Sequence, residues 1–131
     1  MKKVLPIFWA VLLVVLFSAC GSSKPNKTSD AMYQIGLNAL NTADDYIAGK
    51  ITGDETAERL HEYMGQSDTQ YKKDCEDVEK DTLVGTNFSN DYSINQSIAM
   101  LYFSTDSSIT GETAMSEVKE KRDNLAEHLG K

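Results

Sequence analysis

The chain is 131 residues long and acidic, with 20 Asp and Glu against 13 Lys and Arg and a net charge of −7 at pH 7. That length fits a single domain. The charge argues against nucleic acid as a partner, because no basic face is available to displace the counterions of phosphates. It also argues against electrostatic attachment of the domain to an anionic bilayer.

The first 19 residues have the pattern of a secretory signal peptide. Lys2 and Lys3 form a cationic start, an apolar segment covers residues 4–17, and the small residues Ser18 and Ala19 follow. This order of positive, apolar and small residues is typical of an export leader. The apolar segment is shorter than the roughly 20 residues that a membrane-spanning helix needs.

The residues Phe17-Ser18-Ala19-Cys20 resemble the lipobox of bacterial lipoproteins, although Phe17 stands where Leu is usual. The resemblance implies cleavage before Cys20, a diacylglyceryl group on its sulfur and acylation of the new amino terminus, which together give stable anchoring. We therefore expect a lipid-anchored protein on the extracytoplasmic face of the cell membrane, or on the outer membrane of a Gram-negative host. A plain secreted protein and a signal-anchored protein are the alternatives.

Removal of residues 1–19 takes away Lys2 and Lys3, so the net charge falls from −7 to −9. Cys75 is then the one cysteine without lipid, which excludes an intramolecular disulfide. Residues 20–30 are small and polar, the composition of a flexible tether with a reach of about 18 Å. We expect the folded domain to cover residues 31–131.

The periodicity of apolar residues in the domain predicts four helices and an all-α fold. Ser29 or Asp30 can cap the first helix, and Thr52 and Glu55 have the spacing of a capping box at the start of the second. The predicted ranges are 30–49, 52–82, 91–105 and 112–129. Short connections favour an antiparallel up-and-down bundle. A break near Gly65 and a short strand over 98–103 are the alternatives.

Several positions are predicted to lie in the core. Gly36, Ala39 and Ala43 share the centre of the first apolar stripe, so a neighbouring helix can approach closely there. Leu60 and Cys75 lie on the stripe of the second helix. Four tyrosines also fall on apolar stripes: Tyr46, Tyr63, Tyr71 and Tyr102.

The sequence offers little catalytic chemistry. Glu58 and His61 have the Glu-x-x-His spacing of di-iron bundles, but His128 lacks the matching Glu, so a solvated helix face is favoured over a metal site. Cys75 lies among acidic residues and on a buried stripe, which favours a structural cysteine over a nucleophile. We expect no catalytic residues, no metal and no cofactor.

Three residues are candidates for an interaction surface. Met100 and Phe103 lie off the main stripe of the third helix, and a four-helix core cannot easily bury both sides of that helix. Arg122 lies within the apolar arc of the fourth helix, where it either packs its stem in a groove and reaches a carboxylate or waits for an anionic ligand.

These observations favour a non-enzymatic binding module at the bacterial cell envelope. Its predicted partners are membrane lipid through the acylated Cys20 and an envelope protein or small ligand. An immunity or exclusion factor and a purely structural lipoprotein are the alternatives, and an enzyme is the least favoured class.

Overall fold

Four α-helices are present in the computed structural model, which describes residues 23–76, 86–106 and 115–131. They are α1 (Asp30–Ile47), α2 (Gly53–Cys75), α3 (Ser89–Thr105) and α4 (Met115–His128). The predicted all-α class is confirmed, and the alternative strand over 98–103 is wrong because these residues are helical. The predicted signal peptide and Cys20 lie outside the described residues.

Specific cap residues fix both ends of α1. Ser29 is the N-cap, and its hydroxyl accepts a hydrogen bond from the backbone N–H of Met32. At the other end Gly49 adopts a positive φ of 73°. The N–H of Gly49 bonds the carbonyl of Tyr46 and the N–H of Lys50 bonds that of Asp45, which is the Schellman pattern that ends a helix.

Helix α2 begins with the predicted capping box, in which Thr52 and Glu55 each bond the backbone of the other. The helix passes through Gly65 without a break and is described to Cys75. The predicted continuation to Thr82 lies outside the described part. The Thr52 cap and the Gly49 stop together keep the connection between α1 and α2 short.

Contacts between helix ends define an antiparallel bundle. Ser29 at the start of α1 bonds Asp91 at the start of α3, whereas Asn90 at the start of α3 bonds the carbonyl of His128 at the end of α4. Within the described ranges each helix contacts the next along the chain, α4 returns to α1, and α1 also contacts α3 across the centre. No contact joins α2 and α4 there, so the bundle is flattened along the α1–α3 diagonal.

The core is formed by apolar side chains from all four helices: Met32, Leu40, Leu60, Ile94, Ile98, Leu101, Val118, Leu125 and Leu129. Gly36 lets α1 approach its neighbours, since a Cβ there would lie 2.7 Å from Cδ2 of Leu129 and 3.1 Å from Cγ2 of Ile94. These distances confirm the predicted close approach at Gly36. The four tyrosines predicted to pack are partly buried against the same core.

The last residues of the predicted tether belong to the folded domain. Thr28 and Ser29 are buried, and the backbone N–H of Asn90 donates to the carbonyl of Lys27. The side chain of Asn90 bonds both Thr28 and the carbonyl of His128. The chain therefore enters the bundle at the end where α3 begins and α4 ends. Within the described ranges, no helix is sufficiently long and apolar to cross a membrane.

Candidate functional site: the outer face of α3

Helix α3 carries large apolar side chains on two sides. Its inner side buries Ile94, Ile98 and Leu101 completely. Its outer side exposes four large apolar side chains: Phe88 by 40%, Tyr92 by 49%, Met100 by 47% and Phe103 by 42%. Tyr92, Met100 and Phe103 lie on the helix and Phe88 is its N-cap residue. These four residues, here called the α3 outer face, extend over about 22 Å.

The α3 outer face is also free of charge. Between Asp91, which is buried, and Asp106 the helix contains no Lys, Arg, Asp or Glu. The exposed sides of α2 and α4 are densely charged, for example at Glu58 and Glu62 on α2 and at Glu120 on α4. Aromatic residues and methionine with few charges are the composition of the buried centre of a protein interface.

Two of the exposed aromatic rings pack against neighbouring aromatic rings. The ring centroids of Tyr92 and Tyr71 are 5.8 Å apart, and those of Phe103 and Tyr102 are 5.4 Å apart. Distances of this size are typical of favourable tilted ring pairs. The exposed rings are therefore held against the helices and present a preformed surface.

An open groove runs along one side of this face, between α3 and α4, with a volume of about 310 Å³. Met100 and Gln96 line it from α3, and Lys121 and Asn124 line it from α4. A second hollow of about 390 Å³ shares Ser93 and His128 with it and continues to the residues where the chain enters the bundle. The groove adds hydrogen-bonding groups beside the apolar side chains.

The structure separates the residues that the sequence grouped as an interaction surface. Met100 and Phe103 are exposed on the same helix face, as the sequence suggested. Arg122 instead points to α1, where Nε and Nη2 bond Asp44 at 2.7 and 3.2 Å, and Nη1 bonds Asp123 at 3.1 Å. The bond to Asp44 raises the pKa of Arg122 above its ordinary value, so this cation is satisfied within the fold.

Phe88 and Tyr92 belong to the α3 outer face but were not singled out from the sequence. Phe88 lay outside the predicted helix 91–105, whereas it is the N-cap residue of α3. The signal was present in the spacing, because residues 88, 92 and 103 fall within one narrow arc of a helix. Recognising it required a helix start two residues earlier than predicted.

None of the residues weighed for metal and thiol chemistry is part of this face. Glu58 is exposed, the exposed His61 packs on the ring of Tyr102 at 5.3 Å, and Cys75 is buried with 3% exposure. In the three described stretches, no group of three or more His, Cys, Asp or Glu side chains could hold a metal ion. Cys20 lies outside these stretches.

A buried polar cluster lies at the end where the chain enters the bundle. Asp91 of α3 has no exposed surface and accepts hydrogen bonds from the backbone N–H of Ser29 at 2.9 Å and from its hydroxyl at 2.5 Å. Burial and the nearby carboxyl of Asp74 raise the pKa of Asp91 to about 7. Sequence reasoning missed this cluster, because it depends on how α1, α2 and α3 are aligned.

The α3 outer face can supply apolar contact and hydrogen bonds to a partner, and the cluster at Asp91 can hold a proton. Comparison of the chain with known protein families, with curated proteins and with solved structures found no match.

Proposed function

We propose that the protein is a lipid-anchored extracytoplasmic module that binds another protein through the α3 outer face. The lipobox-like residues 17–20 support the location, and no catalytic role is part of the proposal. The observation that carries the binding function is the set of four half-exposed apolar side chains on an uncharged helix surface.

Leaving these side chains in water is unfavourable. Full burial of one large apolar side chain is worth about 1.5–3 kcal/mol, so covering four that are already half buried offers several kcal/mol to a partner. Single exposed apolar residues need no explanation, but four half-exposed ones along one uncharged helix face favour an interaction site. The charged surfaces of α2 and α4 offer no comparable gain.

The shape of the surface favours a protein over a small molecule. Small-molecule sites are concave and enclose most of the ligand. The α3 outer face extends for about 22 Å along the convex side of a helix, and the groove beside it is open to solvent. A partner helix or an extended segment can lie along such a surface and cover Tyr92, Met100 and Phe103 together.

The proposed anchor would orient this face relative to the membrane. The chain enters the bundle beside the start of α3, where the N–H of Asn90 bonds the carbonyl of Lys27. Phe88 is therefore at the anchored end of the face and Phe103 at the distal end. A partner anchored in the same cell envelope can therefore bind along the length of α3.

A photo-reactive amino acid in place of Gln96, which is exposed between Tyr92 and Met100, tests the proposal in intact cells. We expect one specific adduct, whose partner is then identified by mass spectrometry. The matched control places the same group at Asn41, which is exposed on α1 on the far side of the bundle. Equal adducts from both positions, or none from Gln96, would argue against binding through this face.

A further inference from the structure

The carboxyl group of Asp91 joins the first turns of two helices. It lies at the third position of α3 and accepts both the N–H and the hydroxyl of Ser29, which is the N-cap of α1. The same hydroxyl oxygen accepts the N–H of Met32. Asp91 therefore holds the cap of α1 in place although the two residues are 62 positions apart in the chain.

Asp74, in the last turn of α2, approaches the same carboxyl. The side-chain amide of Gln70 donates to Oδ1 of Asp74 at 2.8 Å. Oδ2 of Asp74 is buried and has no hydrogen-bond partner in the described part of the chain, yet the carboxyl of Asp91 is within hydrogen-bonding reach of Asp74. Two ionised carboxylates cannot hydrogen-bond, whereas one proton between them gives Oδ2 its missing donor.

We propose that Asp91 and Asp74 share one proton, and that this proton holds the last turn of α2 against the first turns of α1 and α3. With the proton bound, Asp91 donates to Asp74 while it still accepts from Ser29. When the proton leaves to bulk water, two like charges face each other in a buried setting and the α2 turn separates from α3.

The charges around Asp91 agree with this assignment. Asp74 is the only ionisable side chain in the described ranges that acts on Asp91. The groups that bond this pair from α1 and from the rest of α2 are neutral: Ser29 donates to Asp91 and Gln70 donates to Asp74. The contact towards α4 is made by the neighbouring Asn90, whose side-chain amide donates to the backbone carbonyl of His128.

Within residues 23–76, 86–106 and 115–131, no lysine is among the groups that shift the pKa of Asp91. The four lysines closest in sequence to Ser29 and Asp74 are all exposed: Lys24, Lys27, Lys72 and Lys73. Lys24 is bonded to Asp30 at 2.5 Å. The N-terminal ends of α1 and α3 favour a negative charge, but burial and Asp74 outweigh them and raise the pKa of Asp91 to about 7.

The direction of the pH effect follows from this value. An exposed Asp titrates near 3.8, so the folded protein binds this proton more tightly than the unfolded chain does. The contribution of this proton to stability therefore increases as the pH falls from about 7 towards 4. The same contribution disappears as the pH rises through 7. If the protein is extracytoplasmic, as proposed above, the pair responds to the pH outside the cell.

Denaturant unfolding of the purified full-length protein at pH 8.5 and pH 5.5 tests the shared proton. The unfolding equilibrium constant should be about thirtyfold smaller at pH 5.5, as expected for one proton with a folded pKa near 7. Asp91→Asn and Asp74→Asn should each remove this difference, because an amide donates to the remaining carboxylate at every pH. The control Asp68→Asn, on the exposed side of α2, should keep it.

Hydrogen exchange locates the effect. In the wild type, the amides of residues 72–75 should exchange faster at pH 8.5 than at pH 5.5 after correction for intrinsic rates, and in Asp91→Asn they should not. A wild type without a pH difference, or variants that retain it, would refute the shared proton. Neither measurement depends on an anchor or a partner, so failure here leaves the proposed binding function standing.

Discussion

Arg122 of α4 donates two hydrogen bonds to the carboxylate of Asp44 of α1, from Nε to Oδ1 at 2.7 Å and from Nη2 to Oδ2 at 3.2 Å. This geometry matches the planar guanidinium to the carboxylate and is more specific than a single contact. The pair joins α1 to α4 on the side of α4 that faces away from the groove between α3 and α4. It explains why a cation lies within an apolar arc without requiring a ligand.

The Arg122–Asp44 pair should contribute modestly to stability. Both side chains are partly exposed, at 29% and 45%, so solvent screens their attraction. In a double-mutant cycle with Arg122→Ala and Asp44→Ala, we expect a coupling energy of about 0.5–1 kcal/mol that decreases with added salt. The more exposed pair Lys50–Asp45 should show coupling near zero. A coupling above about 3 kcal/mol would mean that the pair is effectively buried.

Gly36 and Gly65 form a matched pair for testing the close approach of α1. Alanine at position 36 would place Cβ 2.7 Å from Cδ2 of Leu129, so Leu129 must move. We expect Gly36→Ala to destabilise by about 1–3 kcal/mol, despite the better helix propensity of Ala. Gly65 is helical with no atom near such a Cβ, so Gly65→Ala should stabilise by about 0.5–1 kcal/mol. Urea unfolding of both variants provides the comparison, and equal shifts of the same sign would contradict it.

The parts of the fold that depend on local sequence could be predicted. The Thr52–Glu55 capping box, the Gly49 helix stop and the small residue Gly36 each act through neighbours in the chain or through helix periodicity. These signals determine where helices begin, where they end and which sides pack. The start of α3 was less accurate, because Phe88 makes no side-chain cap bond that a sequence pattern could reveal.

The candidate sites depended on the alignment of helices, which periodicity does not provide. Asp74 and Asp91 come from different helices, and only the register of α2 against α3 brings their carboxyls together. The direction of Arg122 was equally undetermined, since a helical wheel does not show that Asp44 lies opposite. Met100 could be assigned to an outer surface because it lies off the main apolar stripe.

Leu60 is a sensitive position in the core. Its side chain has no exposed surface, so Leu60→Asp would bury a carboxylate without a partner. Such a group costs several kcal/mol, which is comparable to the whole stability of a small domain. We expect the variant to lose its helical circular dichroism at 25 °C. Leu60→Met should keep the fold, with a loss below about 1.5 kcal/mol. A fully helical Leu60→Asp protein would contradict the position of Leu60.

The double variant Met100→Ser with Phe103→Ser separates binding from stability. Both side chains are about half buried, so their removal together should lower the free energy of unfolding by about 1.5–3 kcal/mol, less per side chain than at a fully buried position. Cross-linking from position 96 should nevertheless fall strongly, because the partner loses its apolar contacts. Ile98→Ser, at a fully buried position on the same helix, should instead destabilise by about 2–5 kcal/mol. A loss above about 4 kcal/mol in the double variant would place Met100 and Phe103 in the core.

The proposed anchor is tested at a single atom. If the lipobox-like residues 17–20 direct processing, the diacylglyceryl group can be carried only by the sulfur of Cys20. Cys20→Ala should then abolish the incorporation of labelled fatty acid and leave the precursor uncut by lipoprotein processing. Cys75→Ala is the matched control, since that thiol is buried in the domain and should have no effect on labelling.

Cell fractionation gives a second measurement of the anchor. The wild-type and Cys75→Ala proteins should both be extracted from the membrane fraction by detergent, and both should carry the lipid label. An uncleaved precursor keeps its apolar segment 4–17, which can associate with membranes without lipid, so the lipid label and not membrane association is the deciding readout. Equal labelling of the wild type and Cys20→Ala would refute the anchor.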